Sequence, residues 1–261
     1  MKIVVCLKQV PDTANLRIDP ETNTLVREGV DAVLNPLDEF PLEEALRLRE
    51  ANGGTVLAVT MGPPQAAEVL HKAVATGADE GILVSDRRFA GADTWATSLT
   101  LARAVAALGA VDVVLCGKQA VDGDTAQVGP GIAAHLGLPQ MTYVTAVRAD
   151  GPGWLRVHRL LESGTVRMRV KTPVVLTVLK EANEPRLPSL AGRIRAYRTP
   201  VRTLDADALG VEEEDVGLPG SPTRVTQIAV PEGKREHRRL EGSADETAAA
   251  LVRELRERRV L

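Results

Sequence analysis

Aromatic side chains are almost missing from this chain: two each of Phe, Trp and Tyr make up 2% of its 261 residues. So few rings cannot build the stacking platforms on which single-strand nucleic-acid binders hold bases, and they cannot line an aromatic substrate pocket. Cysteine is as scarce. Cys6 and Cys116 each lie inside an apolar run, IVVCLK and VVLCGK, and no CxxC or Cys/His cluster has metal-ligand spacing. Both are expected as buried free thiols at strand ends, and no metal site is expected. Neither sign of charge dominates, since 35 acids face 32 bases for a net −3. The basic field that a general nucleic-acid binder needs is therefore lacking. No apolar run approaches the roughly 20 residues that cross a bilayer, and the opening lacks a signal-peptide pattern. A cytoplasmic protein without membrane insertion is expected. Neither GxxxxGK[ST] nor GxGxxG occurs.

Aliphatic and small residues must then build the core, and their pattern is informative. Residues 2–7 (KIVVCL), 55–60, 81–84 and 111–116 are short continuous apolar runs, as in parallel strands buried on both faces. Between them lie amphipathic segments at 38–52, 64–76, 94–108 and 125–136, the first stopped by Gly53-Gly54 and the second by Gly77. Four alternations of strand and helix specify a doubly wound parallel α/β sheet. After Gln140 the pattern changes. Residues 141–148, 154–161 and 165–171 alternate between turns and read as an antiparallel meander. Residues 173–179 (PVVLTVL) return as a buried strand. The expected organisation is a nucleotide-binding α/β domain over 1–180, with the meander at 141–171, and an extended arm over 181–261. Pro185, Pro188, Pro200, Pro219, Pro222 and Pro231 punctuate that arm, which also carries an acidic run at 212–215 and a basic run at 234–239. A final helix begins at Ser243 with Glu246 three residues on, a capping box, and its stripe of Ala248, Leu251, Val252 and Leu255 suits a partner surface.

Open α/β sheets hold ligands beyond the carboxyl ends of their strands. There the segment Gly117-Lys118-Gln119-Ala120-Val121-Asp122-Gly123-Asp124-Thr125-Ala126-Gln127-Val128-Gly129 is polar, glycine-rich and leads into a helix. A helix N-terminus suits a phosphate. Gly117 and Gly123 admit close backbone approach, and Thr125 and Gln127 add donors. Alternatively, Asp124 or Thr125 merely caps the helix, or Asp122 and Asp124 hold Mg²⁺ alongside a nucleotide. No catalytic set stands out. His71, His135, His158 and His237 read as structural or solvated, and Glu43-Glu44 as a solvated helix face.

Seven segments in order resemble the β subunit of electron-transfer flavoproteins: KIVVCLKQVPD, NP followed by DEFPLEEALRLRE, Met61-Gly62-Pro63, AVATGADEGILV, GKQAVDGDTAQVGP, GLPQMTYV and NEPRLPSL. The resemblance implies an adenine-nucleotide-binding, HUP-like fold and a heterodimer with an α subunit that holds most of the FAD contacts. It implies a structural AMP in this chain, with Cys6, Asn35, Met61 and Gly62 around the adenosine. Asp122, Asp124, Thr125, Gln127 and Val128 would surround the ribose and phosphate. It further implies an electron carrier with no catalytic residues of its own, serving acyl-CoA and other dehydrogenases, as in fatty acid oxidation, and a membrane quinone oxidoreductase. Leu190, with Pro188 and Arg186, matches the loop that docks dehydrogenases. An electron-bifurcating form with FAD in place of AMP, and a nucleotide-hydrolysing or nucleotide-sensing protein of the same fold, are the alternatives. The meander departs from the family pattern at Ser163, Val166 and Arg167, and Arg198 and Thr199 thin out a Lys-rich run.

Overall fold

A computed structural model describes residues 1–12, 17–18, 25–26, 32–226 and 239–261. His237, Pro231 and most of the basic run lie outside the described residues. In chain order the strands are β1 (Lys2–Cys6), β2 (Gln9–Pro11), β3 (Arg17–Ile18), β4 (Leu25–Val26), β5 (Ala32–Leu34), β6 (Thr55–Met61), β7 (Glu80–Val84) and β8 (Val113–Gly117). They continue with β9 (Gln140–Ala149), β10 (Trp154–Leu161), β11 (Gly164–Lys171), β12 (Val174–Val178) and β13 (Arg202–Leu204). The helices are α1 (Glu39–Asn52), α2 (Ala67–Thr76), α3 (Thr94–Ala107), α4 (Val128–Leu136), α5 (Leu190–Arg198), α6 (Ala206–Leu209) and α7 (Ala244–Glu257).

Nine strands form one sheet in the order β11-β10-β9-β12-β8-β1-β6-β7-β13. Every neighbouring pair from β9 to β13 is parallel. Ile3, Val4 and Val5 of β1 are wholly buried, which is why that strand reads as an unbroken apolar run rather than an alternation. Ile3 and Val5 face a core with Leu42, Leu46 and Leu70 of α1 and α2. Val4 and Cys6 face the other core, with Leu101 and Val105 of α3 and Ile132 of α4. Helices thus cover both faces, as the doubly wound reading expects. The meander is an extension of this sheet: β9 runs parallel to β12, and β10 and β11 then add antiparallel strands at the edge.

Helix ends follow local chemistry. The Asp93 carboxylate accepts the Ala96 N–H at 3.1 Å and starts α3. Gly77, at φ +148°, ends α2 where an added Cβ would come within 3.0 Å of Leu46. Three expectations need correction. The fourth helix begins at Val128, not Thr125, because Asp124 (φ 53°) and Ala126 (φ 56°) are left-handed and cannot continue a right-handed turn. Glu43 and Glu44 are not a solvated face; both are buried, 3% and 5% exposed, because residues 183–186 lie over that side of α1 and bond to them. Thirdly, the 181–226 stretch is not without regular structure. β13 pairs with β7, and Ala196 of α5 and Leu209 of α6 enter the two cores. A three-residue strand is too short to show alternation in sequence.

Residues Met1–Thr226 form one compact unit and Gln227–Leu261 a second. In the second, α7 carries the expected capping box: Ser243 Oγ accepts from Glu246 N, and Glu246 Oε2 accepts from Ser243 N at 2.8 Å. Leu251 and Val252 on its apolar stripe are exposed.

Candidate nucleotide site

β1 and β8 are adjacent, with Cys6 opposite Cys116, and they end side by side. The chain leaving β1 is caught at once. Lys8 N donates to Asp38 Oδ2 at 2.8 Å, and Asn35 N donates to Lys8 O at 2.9 Å. Asn35 is fully buried. Its amide donates to Gln119 O at 3.0 Å and accepts from Val121 N at 3.3 Å. Asn35 therefore ties the loop after β1 to the loop after β8, and both ends of its side chain are engaged in doing so. A Cβ on Gly117 would collide with Asp38 Oδ1 and lie 2.9 Å from Leu37 O. Gly117→Ala is expected to cost about 2–3 kcal/mol by overpacking, or roughly 4–12 °C of melting temperature at this chain length. Thermal melting of the purified protein checks it, and an unchanged midpoint would show that the backbone yields there.

The loop that follows is strained and its charge is muted. Asp124 and Ala126 hold left-handed conformations without being glycine, an arrangement that concentrates at ligand sites. Asp122 pairs with Lys8 at 2.7 Å. The Gln119 amide donates to the Asp124 carboxylate, and Thr94 and Thr125 hydroxyls meet at 3.5 Å. Neither Asp124 nor Thr125 caps α4. Its N-cap is Gln127, which makes no side-chain cap bond, so among the described residues the first-turn N–H groups are left without a cap. α4 lies close on the sheet because Gly129 lacks a Cβ, which would sit 2.6 Å from Thr177 of β12, and close on α3 because Gly131 lacks one, which would sit 2.5 Å from Ser98. On the other side of β1, the turn after β6 is held by Gly62 N donating to Val84 O at 3.1 Å.

Asp38 is strongly perturbed on this crevice floor. Burial pushes its carboxyl up to about 7, against the opposing bonds from Lys8 N, Asn35 and Gly117 N. Cys116 is held well above the ordinary thiol range, chiefly by its hydrogen bond with Cys6 and then by burial. It is a thiol at neutral pH and so a poor nucleophile or metal ligand. His135 packs edge-on against Trp95, with ring centroids 4.7 Å apart.

The structure thus gathers Cys6, Asn35, Gly117, Asp122, Asp124 and the start of α4 at Gln127 and Val128 around adjoining strand ends, with Met61 and Gly62 one strand over. Residues 186–190 belong to another segment, packed on α1 and α2. Lys8 and Asp38 were not singled out from sequence, although Asp38 lies two residues beyond the Asn35-Pro36 step. Buried Glu43 and Glu44 were also missed; the residues that cover them, Arg186 and Asn183, lie more than 130 residues away.

Residues with this placement define a doubly wound α/β protein, a class whose ligands bind beyond the carboxyl ends of the strands. The electron transfer flavoprotein domain matches residues 22–209. The electron transfer flavoprotein subunit beta of Thermoanaerobacterium thermosaccharolyticum is 49% identical over 262 residues, covering 100% of both chains. The caffeyl-CoA reductase-Etf complex subunit CarD of Acetobacterium woodii is 45% identical over 263 residues, again 100% of both. Protein FixA of Azorhizobium caulinodans is 45% identical across 98% of this chain and 94% of its own. The chain belongs to the electron-transfer flavoprotein family, as a β subunit. Such subunits pair with an α subunit and carry electrons in an assembly that uses flavin. Among the described residues, no helix is long and apolar enough to cross a membrane.

Proposed function

We propose that this chain holds the adenylate group of AMP in the crevice at the ends of β1, β6 and β8, and helps its α subunit hold FAD. The observation that carries this reading is the uncapped start of α4 beside the glycine-bearing end of β8. Free N–H groups and the helix dipole favour a phosphate there. Asp122 and Asp124 are already engaged by Lys8 and Gln119, and the raised Asp38 is about half protonated at neutral pH, so an anion meets little uncompensated negative charge. The flavin accepts and releases the electrons. The chain's own residues supply binding and docking and no bond-breaking chemistry. Electrons enter from acyl-CoA and other dehydrogenases docking at Leu190 and leave to a membrane quinone oxidoreductase. The apolar stripe of α7 is a surface for the α subunit, and the setting is cytoplasmic.

A second reading, an electron-bifurcating flavoprotein with FAD in place of AMP, draws on the open space at Gly123. Among the described residues, a Cβ added there would meet only Lys8 Nζ, at 3.8 Å, which favours room for a group beyond the adenylate phosphate. One full-length relative is, by name, a subunit of an Etf complex with a caffeyl-CoA reductase. Acid release of nucleotides from the purified heterodimer, followed by mass spectrometry, separates the readings. One AMP and one FAD per pair support the first, and two FAD without AMP support the second. ATP or ADP without flavin would overturn both.

A further inference from the structure

The segment expected to meet dehydrogenases through Leu190, Pro188 and Arg186 is divided into two faces, and Arg186 is on the inner one. Its Nε donates to Glu43 Oε2 at 2.7 Å and its Nη2 to Glu43 Oε1 at 3.0 Å. The same guanidinium engages both carboxylate oxygens of Glu50, one of them at 3.0 Å. The backbone N–H of Arg186 also reaches Glu43 Oε2, at 3.2 Å. Every side-chain nitrogen of Arg186 is thus bound within the chain, to two acids two turns apart on one face of α1. A fork matched to two carboxylates fixes direction as well as position. Three residues earlier, the Asn183 amide donates to Glu44 Oε2 at 2.9 Å and Phe40 O at 3.0 Å.

Beyond the clamp, α5 is seated on α2 by one side only. Gly192 packs so close to the Ala75 carbonyl that a Cβ there would collide with it. Arg195 Nη2 donates to Val74 O at 2.6 Å and Ala78 O at 3.2 Å, and Ala196 is buried. The opposite side carries Leu190, Ile194 and Tyr197, at helical spacing, with Leu187 just before the helix. They are 76%, 49%, 92% and 89% exposed. An isolated exposed Leu needs no explanation, but four large apolar residues on one face mark an interaction surface.

We propose that Arg186 is a positioning residue rather than a partner contact: with Glu43 and Glu50 it clamps residues 183–189 to α1. That clamp sets the angle at which Leu187, Leu190, Ile194 and Tyr197 are presented together to an apolar groove on an electron-donating dehydrogenase. The inference rests on the reading that this segment docks dehydrogenases. Losing the clamp leaves the apolar face intact but only part of the time in its docking pose, so the apparent affinity falls by the fraction lost. If that pose drops to about a tenth of the population, KM for the dehydrogenase rises about tenfold with kcat retained.

The test uses the flavin-loaded heterodimer, with butyryl-CoA and a butyryl-CoA dehydrogenase as the electron-donating probe. KM and kcat are measured for Leu190→Ala, Arg186→Ala, Glu50→Gln and the Leu190→Ala/Arg186→Ala double variant, at matched flavin content and melting behaviour. The proposal expects a raised KM with kcat retained in each single variant, and a double variant worse than Leu190→Ala alone, because the clamp still sets the angle of Leu187, Ile194 and Tyr197 when Leu190 is gone. Glu50→Gln removes only the half-exposed arm of the clamp, and its smaller rise in KM serves if Arg186→Ala fails to fold. A raised KM for Leu190→Ala with normal KM for Arg186→Ala and Glu50→Gln would overturn the clamp and leave docking intact. A raised KM for Arg186→Ala with a normal KM for Glu50→Gln would make Arg186 a direct contact and also overturn it. No change in any variant would sink the docking reading itself, and the clamp with it.

Discussion

Raising the pH from 5 to 7.5 should lower the folding stability of this chain by about 2.5 kcal/mol through Asp38 alone, at roughly 1.36 kcal/mol per unit of pKa difference. The sign follows from which state holds the proton. Burial raises the folded carboxyl from 3.8 to about 7, so between those values the folded chain keeps a proton that the unfolded chain has released. The contribution is complete below the unfolded pKa and is lost as pH climbs through the folded one. Below pH 5 an opposing trend enters. Glu43 and Glu50 are held below the usual carboxylate range, Glu50 first of all by its bond to Arg186 and Glu43 by Arg186 and Arg47 against the cost of burial. Their contribution is present above the unfolded pKa and is lost on acidification. Glu44, which burial also raises, acts in the same direction as Asp38, so the share of Asp38 is the part of the drop that Asp38→Asn removes. Denaturant unfolding of the heterodimer at both pH values checks it, with Asp38→Asn as the reference. The wild type should show a larger drop than the variant, and parallel slopes would mean that Asp38 is ionised in the folded chain throughout.

Removing the nucleotide should be costlier still. A ligand held at about 1,000 times its Kd adds about 4 kcal/mol to the folded state, worth roughly 8–16 °C of melting temperature at this size. The structure suggests where the loss would fall. The loop over 118–127 is mostly exposed and carries two left-handed residues, and it is anchored chiefly through Asn35, Lys8 and Gln119. With an anion at the start of α4, that strain is offset by bonds to first-turn N–H groups. Without one, those groups are left to water. Heterodimer stripped of AMP by partial unfolding and dialysis should melt well below the loaded form while its flavin is still reduced by dithionite. Equal melting of the two would remove the strut role from AMP and leave the crevice with a different purpose.

How much of this was legible beforehand depends on the range of the interaction. The strands and crossovers of the first 140 residues were readable because each is a local pattern, an apolar run or a helical stripe closed by Gly53 or Gly77. The antiparallel segments and the return strand at 174–178 were readable for the same reason. The crevice loop was found from its glycines and its place before a helix, but its conformation was not. Left-handed Asp124 and Ala126 carry no signature in sequence, so the start of α4 was set three residues early. Asp38, Glu43 and Glu44 were invisible as buried acids. Each is compensated by a partner remote in the chain or by the fold of its own loop, and a carboxylate in a polar stretch reads as solvated until that partner is known. Arg186 illustrates the point: beside Leu190 in sequence it looks like part of one contact surface, yet its guanidinium turns inward to α1.

A sheet of nine strands that is not closed into a barrel must end somewhere, and here the two ends guard against self-association in different ways. At one, β13 offers only three residues, too short a template for a second chain to extend. At the other, β11 is long and largely exposed, but it alternates Val166 and Met168 with Arg167, Arg169 and Lys171. Cations along an open edge make it costly for an identical edge to approach. Exchanging Arg167 for threonine would leave the sheet's hydrogen bonds untouched while weakening that guard, and the protein's solubility at high concentration, rather than its fold, is the property at stake.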